Sequence, residues 1–320
     1  MFYEIYLTAL TLIGILGNFI SLGTVRSLEK KNPPYIYQVA IVAVDGVFLI
    51  GHIFTMLSFV FADISGSWYR RSYIMMLLRK TVLNIWIRSF SSISPLLLAA
   101  GLLERIDAIR KPIDFMIRDH KKRLRQAIGL SILLSLLLSL PHALFNWDLR
   151  LVNGSLVEYE LVPATRKYNT LYSPWLPLWR FASAIFNVTI FPALLLLTLY
   201  LLRILTAFVK SSVALKKQQR VDRSVSQLLL LQTIPVLIAS LPNAFNEFIL
   251  ICFPYSIYDT YFAMVMGPVL GLTYIIPAAS NIFLYLAFNR EFRGYCLQYL
   301  TCQRCQPHTT FEVKATAAIH

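Results

Sequence analysis

Charge is what this sequence has least of: Asp, Glu, Lys and Arg make up 14% of its residues, against 57% hydrophobic, where soluble domains carry about 25% charge. That excludes an ordinary water-soluble globule. Cysteine is scarce as well, with Cys252 alone and Cys296, Cys302 and Cys305 crowded near the C-terminus, so no framework of paired cysteines is implied. The sequence contains no His-Glu-x-x-His, no Gly-x-Ser-x-Gly and no phosphate-binding Gly-Lys loop, which argues against an enzyme. It also has no internal repeat and no Gly/Ser linker. A cleavable leader would need a basic start before its apolar core, and "MFYEIYLTALTLIGILGNFISLGTV" has none. It is expected to be a first membrane span.

Long apolar runs are what the sequence does have. Runs bounded by charge or proline fall near 2–25, 36–61, 76–103, 126–147, 175–207, 225–252 and 261–288, each near the roughly 20 residues that cross a bilayer core of about 30 Å. The expected fold is therefore all-α: a seven-transmembrane helix bundle over 1–288, a short amphipathic helix at the membrane surface over 289–300, and a flexible tail over 301–320.

The net charge of +14 does not point to nucleic acid, because the basic residues sit in the short segments between apolar runs. Segments 26–35, 104–125, 203–223 and 289–320 hold 21 Lys or Arg, and the opposite segments hold 6. The positive-inside rule puts the first group in the cytoplasm and the N-terminus outside. Asn153-Gly154-Ser155 then carries the glycosylation pattern on the outer side, at Asn153.

An ionisable side chain at mid-membrane costs about 2.5–3.5 kcal/mol, so each one asks for a partner, a water-filled cavity or a task. Asp45 lies in the middle of the second run, in "QVAIVAVDGVFLI", with Asn18, Ser94 and Asn281 polar at comparable depths of the first, third and seventh. They are expected to form one buried network, with a sodium ion near Asp45 as the less favoured alternative. At the cytoplasmic end of the third run, "ERIDAIRKP" puts Glu104 beside Arg105, and Asp222 opens the sixth. An arginine held by carboxylates at a helix end is a releasable latch; a snorkelling cation is the plainer alternative.

"ERIDAIRKP" resembles the Asp/Glu-Arg-Tyr motif of rhodopsin-like G-protein-coupled receptors, with Ala108, Ile109 and Pro112 at matching offsets. Further landmarks follow in order: "LGN" with Asn18, "AVD" with Asp45, Trp68 in "GSW", Pro192 and Tyr200 in "FPALLLLTLY", Pro242, and "NIFLYLAFNREFR" with Asn281 and Tyr285. The resemblance covers residues from about 14 to 296. It implies a receptor whose outer half binds an extracellular ligand and whose inner half admits a heterotrimeric G protein. Arg105, restrained by Glu104 and Asp222, would be released as the sixth span swings about Pro242, with Tyr200 and Tyr285 steadying the open form.

The departures from that pattern are informative. Ile282 replaces the proline of the seventh-span motif, Ile106 the tyrosine after Arg105, and Ser240 the sixth-span tryptophan. Residues 148–173 contain no cysteine, so the family's usual outer disulfide cannot form. These losses resemble the divergent serpentine chemosensory receptors of nematodes, which implies a plasma-membrane protein, with a sensory cilium as the more specific expectation. The alternatives weighed are a neuropeptide receptor, a secondary transporter and a channel-like protein.

Helical geometry, at about 100° and 1.5 Å per residue counted back from Arg105, sends Ile87 toward the bundle axis with Asn84 and Ser91 beside it. Arg88 points about 100° away on this count, toward a partner such as Glu247 or toward a ligand anion. Asn243 and His52 add polar groups in the outer half. Beyond the seventh span, Cys296, Cys302 and Cys305 are suited to palmitoylation, since Cys302-x-x-Cys305 lacks a second ligand pair for zinc.

Overall fold

The structure is a computed structural model that describes residues 2–31, 33–65, 72–78, 82, 84–111, 119–145, 147–151, 159–163, 176–211, 217–252 and 261–300. Its helices are α1 (Phe2–Lys31), α2 (Ile36–Ser65), α3 (Tyr73–Leu78), α4 (Asn84–Arg110), α5 (His120–Phe145), α6 (Leu176–Ser211), α7 (Lys217–Cys252), α8 (Tyr261–Phe288) and α9 (Arg290–Leu300). A 3-10 turn at Pro33–Tyr35 joins α1 to α2. Seven of the helices are long and apolar enough to cross a membrane: α1, α2 and α4 to α8. The chain has the build of a multi-pass membrane protein.

Helices dominate because each apolar run must satisfy its own backbone once water is removed. The all-α bundle is as expected, with one short hairpin added in a connection: β1 (Trp147–Leu151) pairs antiparallel with β2 (Tyr159–Pro163), Leu149 in register with Leu161. It lies in the connection between the fourth and fifth spans and packs with α3. The described part of the third span runs from Asn84 to Arg110, and α3 precedes it in sequence.

α1 packs on α2 and α8, α4 on α2, α5, α6 and α7, and α7 on α6 and α8. Lipid is as apolar as leucine, so such helices associate by close packing and interhelical hydrogen bonds rather than by escaping water. Gly14 shows the close packing: a Cβ there would lie 2.8 Å from both Ala279 Cβ and Leu49 Cδ1. Gly51 is tighter still, with the Trp86 indole occupying the place a Cβ would take. Small residues at these points let α2 approach α1 and α4.

Two packed clusters result. The larger, including Leu97, Leu102, Leu201, Val225, Leu228 and Phe292, fills the end of the bundle that carries Arg105; the smaller, with Leu7, Phe48, Leu49 and Ile275, fills the opposite half. Outward-facing Phe19, Leu196 and Ile238 are exposed, as lipid-facing side chains are. Between and beside the two clusters the polar residues converge.

Candidate functional site

All four residues expected to form a buried network do so. Asn281 donates through Nδ2 to Asp45 Oδ2 at 2.7 Å and to Asn18 Oδ1 at 3.0 Å, and Asn18 Nδ2 donates to the Ala278 carbonyl at 2.7 Å. Ser94 hydrogen-bonds the Asp45 carboxylate from α4. The network thus ties α1, α2, α4 and α8 together at mid-depth. Asp45 Oδ2 and Asn18 Oδ1 each accept a hydrogen bond from Asn281 and keep further lone pairs, so the oxygen donors that could hold a sodium ion stand together here.

The network extends further than the sequence revealed. Gln232 of α7 donates through Nε2 to Asn281 Oδ1 at 3.0 Å and to the Tyr285 hydroxyl at 2.7 Å. Gln232 and Tyr285 are both buried, and Tyr285 stacks obliquely on Phe292 with ring centroids 5.0 Å apart. The available signal was a lone amide in "LLLLQTIPV". An uncharged amide in an apolar run costs less than a charge, so it is a weaker signal in a sequence.

At the Arg105 end, two more contacts hold α7. Gln38 of α2 donates to the Val225 carbonyl at 3.4 Å, and the buried Tyr35 hydroxyl bonds Ser224 as well as Asn289 Nδ2, the latter at 3.2 Å. Burial in that joint pushes the Tyr35 phenol up, by more than its hydrogen bonds to Asn289 and Ser224 bring it down. Asn289 in turn caps α9, its Oδ1 accepting from the Phe292 N–H at 3.0 Å. The start of α7, the first connecting turn and the start of α9 therefore form one buried joint.

Glu104 and Arg105 are both buried here, at 4% and 2% exposure. Glu104 has a close partner that was not expected: its Oε1 lies 2.6 Å from His120 Nδ1, at the first residue of α5. Tyr37 of α2 lies against the same carboxylate, and Arg105 acts on the Tyr37 hydroxyl through space. Glu104 Oε2 has no hydrogen-bond partner among the described residues. Beside this pair, Arg123 Nη1 stands 3.6 Å from Asp107 Oδ2, half exposed. The Asp222 side chain lies outside the described residues, so the second expected contact of Arg105 is not seen. Sequence reasoning missed His120 because residues 112–118 separate it from the motif, and sequence spacing does not foretell that contact.

Tyr200 is 40% exposed, with the Arg110 guanidinium 5.8 Å from its ring centroid, and the role expected of it belongs to the open form. Cys296 is 3% exposed, and burial pushes its thiol up despite a hydrogen bond with Thr24. It is a packing residue between α9 and α1, which corrects its assignment as an acylation point. Cys302, Cys305 and Asn153 lie outside the described residues.

In the opposite half, a cavity of about 100 Å³ opens between α2, α4, α5, α6, α7 and α8. Arg88, Ser91, Ser94, Asp45, Ser240 and Asn243 are among its lining residues. Arg88, Ser91 and Asn243 were expected there; Ile87 was expected as well and instead packs with the smaller apolar cluster. The physical reason is Pro95, which sits inside α4 between Arg105 and Ile87, so angles counted back through it lose phase. The side chains of Asn84 and Glu247 lie outside the described residues. His52 is buried against Phe48, ring centroids 5.9 Å apart, and is not among the cavity's lining residues.

Cavity and joint share one helix. Val236, Ala239, Ser240 and Asn243 of α7 line the cavity, and Ser224, Val225 and Gln232 of the same helix make the contacts that hold it. Pro235 and Pro242 interrupt α7 along that stretch, each removing a backbone hydrogen bond where a helix can bend. No protein-family model matches the chain, and no curated protein is similar enough to it to count as a relative.

Proposed function

We propose that the chain is a divergent G-protein-coupled receptor of the chemosensory kind, which binds an extracellular ligand in the cavity and releases α7 to admit a heterotrimeric G protein. The observation that carries this reading is the arrangement of α7: one helix lines the cavity in one half and is tied by side-chain hydrogen bonds to α2 and α8 in the other. A ligand shifts such an equilibrium only by its difference in affinity for the two states. Contacts to Ser240 and Asn243 supply that difference when they strengthen as α7 tilts.

In the resting arrangement Arg105 is covered, with Glu104 held by His120 and the start of α7 docked on Tyr35 and Gln38. Outward movement of α7 parts the Tyr35 and Gln38 contacts and uncovers the Arg105 end. That end is cytoplasmic by the charge asymmetry of the connecting segments, which argues for an outer N-terminus; the plasma membrane is the location that a receptor for an extracellular ligand requires. A cavity of about 100 Å³ favours a small molecule over a peptide.

The test is ligand-stimulated nucleotide exchange on purified heterotrimers by the chain in lipid nanodiscs. Arg105→Ala is expected to abolish stimulated exchange while leaving surface expression intact, and unchanged exchange would count against the latch.

A further inference from the structure

Asp45 presents an unusual combination. It is 5% exposed and lines the cavity, and its described partners, Asn281 and Ser94, are neutral. A buried carboxylate without a cationic partner is costly. Six helix positions from Ser94, and lining the same cavity, stands Arg88.

The two charges select what can enter. A simple amine that would satisfy Asp45 meets the Arg88 guanidinium, and a simple carboxylate that would satisfy Arg88 meets Asp45. A molecule carrying both groups satisfies both. Arg88 has contacts of its own within the protein, but a guanidinium has five donors and serves more than one acceptor. Ser91, Ser240 and Asn243 supply further hydrogen-bonding groups along the wall.

We infer that the cavity takes a small zwitterion, an ω-amino carboxylate whose carboxylate meets Arg88 and whose ammonium meets Asp45 and Ser94. Six residues of α-helix span about 9 Å, and each charge-assisted contact takes up about 2.8 Å. The arginine side chain leans toward the helix N-terminus, away from Ser94, which lengthens the gap again. The ligand's charges therefore stand about 4–6 Å apart, the reach of a chain of about two to four methylenes.

This inference rests on the proposed receptor function, and two readouts separate them. The probes are the series from glycine to 7-aminoheptanoate, with propylamine, butylamine, propanoate and butanoate as single-charge controls. Binding to the chain in nanodiscs is read by calorimetry and by ligand-dependent thermal stabilisation; signalling is read by nucleotide exchange. Binding should peak at two to four methylenes and weaken by about tenfold or more for single-charge controls of the same length. Asp45→Asn, which keeps the hydrogen bond to Asn281, and Arg88→Gln should each bring the zwitterion down to the level of the controls. Arg88→Lys should keep part of the affinity. Thermal unfolding without probe checks that each variant is folded.

Binding with that length dependence but no exchange keeps the ligand assignment and removes the receptor reading. Exchange driven by a neutral or singly charged molecule, with no zwitterion binding, keeps the receptor and overturns the ligand assignment. Equal binding by the simple amine, or binding unchanged in both Asp45→Asn and Arg88→Gln, also overturns it.

Discussion

Replacing Gln232 with leucine isolates the contact between α7 and α8. Leucine is similar in length, suits a helix and fits the apolar stretch around position 232, but it removes the hydrogen bonds to Asn281 at 3.0 Å and to Tyr285 at 2.7 Å. Interhelical hydrogen bonds inside membranes average about 0.6 kcal/mol each, so the pair contributes about 1.2 kcal/mol to the resting arrangement. Two opposing effects follow. Asn281 Oδ1 and the Tyr285 hydroxyl each lose a buried donor, which adds to the loss, whereas the amide oxygen of Gln232, which has no partner among the described residues, disappears with its own cost. The net shift is about 1–2 kcal/mol toward the open form, or about five- to thirtyfold in the equilibrium.

While the open form is a minor state, basal activity follows its population. Gln232→Leu should therefore raise ligand-free nucleotide exchange about five- to thirtyfold, measured in nanodiscs at equal receptor concentration. Basal exchange at the wild-type level, from a variant that folds and still responds to ligand, would refute the idea that this amide restrains α7.

His120→Ala leaves the buried Glu104 carboxylate without its 2.6 Å partner. It should lower the thermal midpoint, with a cost of about 1–3 kcal/mol, and His120→Gln should recover part of it by supplying a neutral donor. Acyl labelling should survive Cys296→Ser, because that thiol is packed away, and should be lost when Cys302 and Cys305 are replaced together; loss of label with Cys296→Ser alone would contradict its burial. Asn153→Gln should remove a glycan-dependent mobility shift in the protein from eukaryotic cells, and an N-terminal tag protected inside intact cells would reverse the orientation.

What could be read from the sequence follows the size of the physical effect. A carboxylate in a bilayer costs enough that Asp45 stood out, and polar residues at the same depth in Asn18, Ser94 and Asn281 were its natural partners; the structure joins all four. The seven spans were legible for the same reason, since backbone in lipid leaves little choice but helix. Smaller or longer-range effects were not legible. Gln232 carries no charge, His120 reaches Glu104 only through the packing of α5 on α4, and Pro95 spoils any count of faces carried through it. Cys296 looked like a membrane-surface thiol because its burial depends on how α9 lies against α1.

The central claim is that something seated in the cavity loosens α7 and uncovers Arg105 to a G protein. The most direct measurement places the purified chain in nanodiscs with heterotrimeric G proteins, applies the ω-amino carboxylate series and the single-charge controls, and follows nucleotide exchange in wild type and Arg105→Ala. The account predicts stimulated exchange in the wild type and none in Arg105→Ala, with both proteins binding the same probe. It is contradicted if no heterotrimer responds to any probe while the same protein, reconstituted in vesicles, carries solute or current on its own.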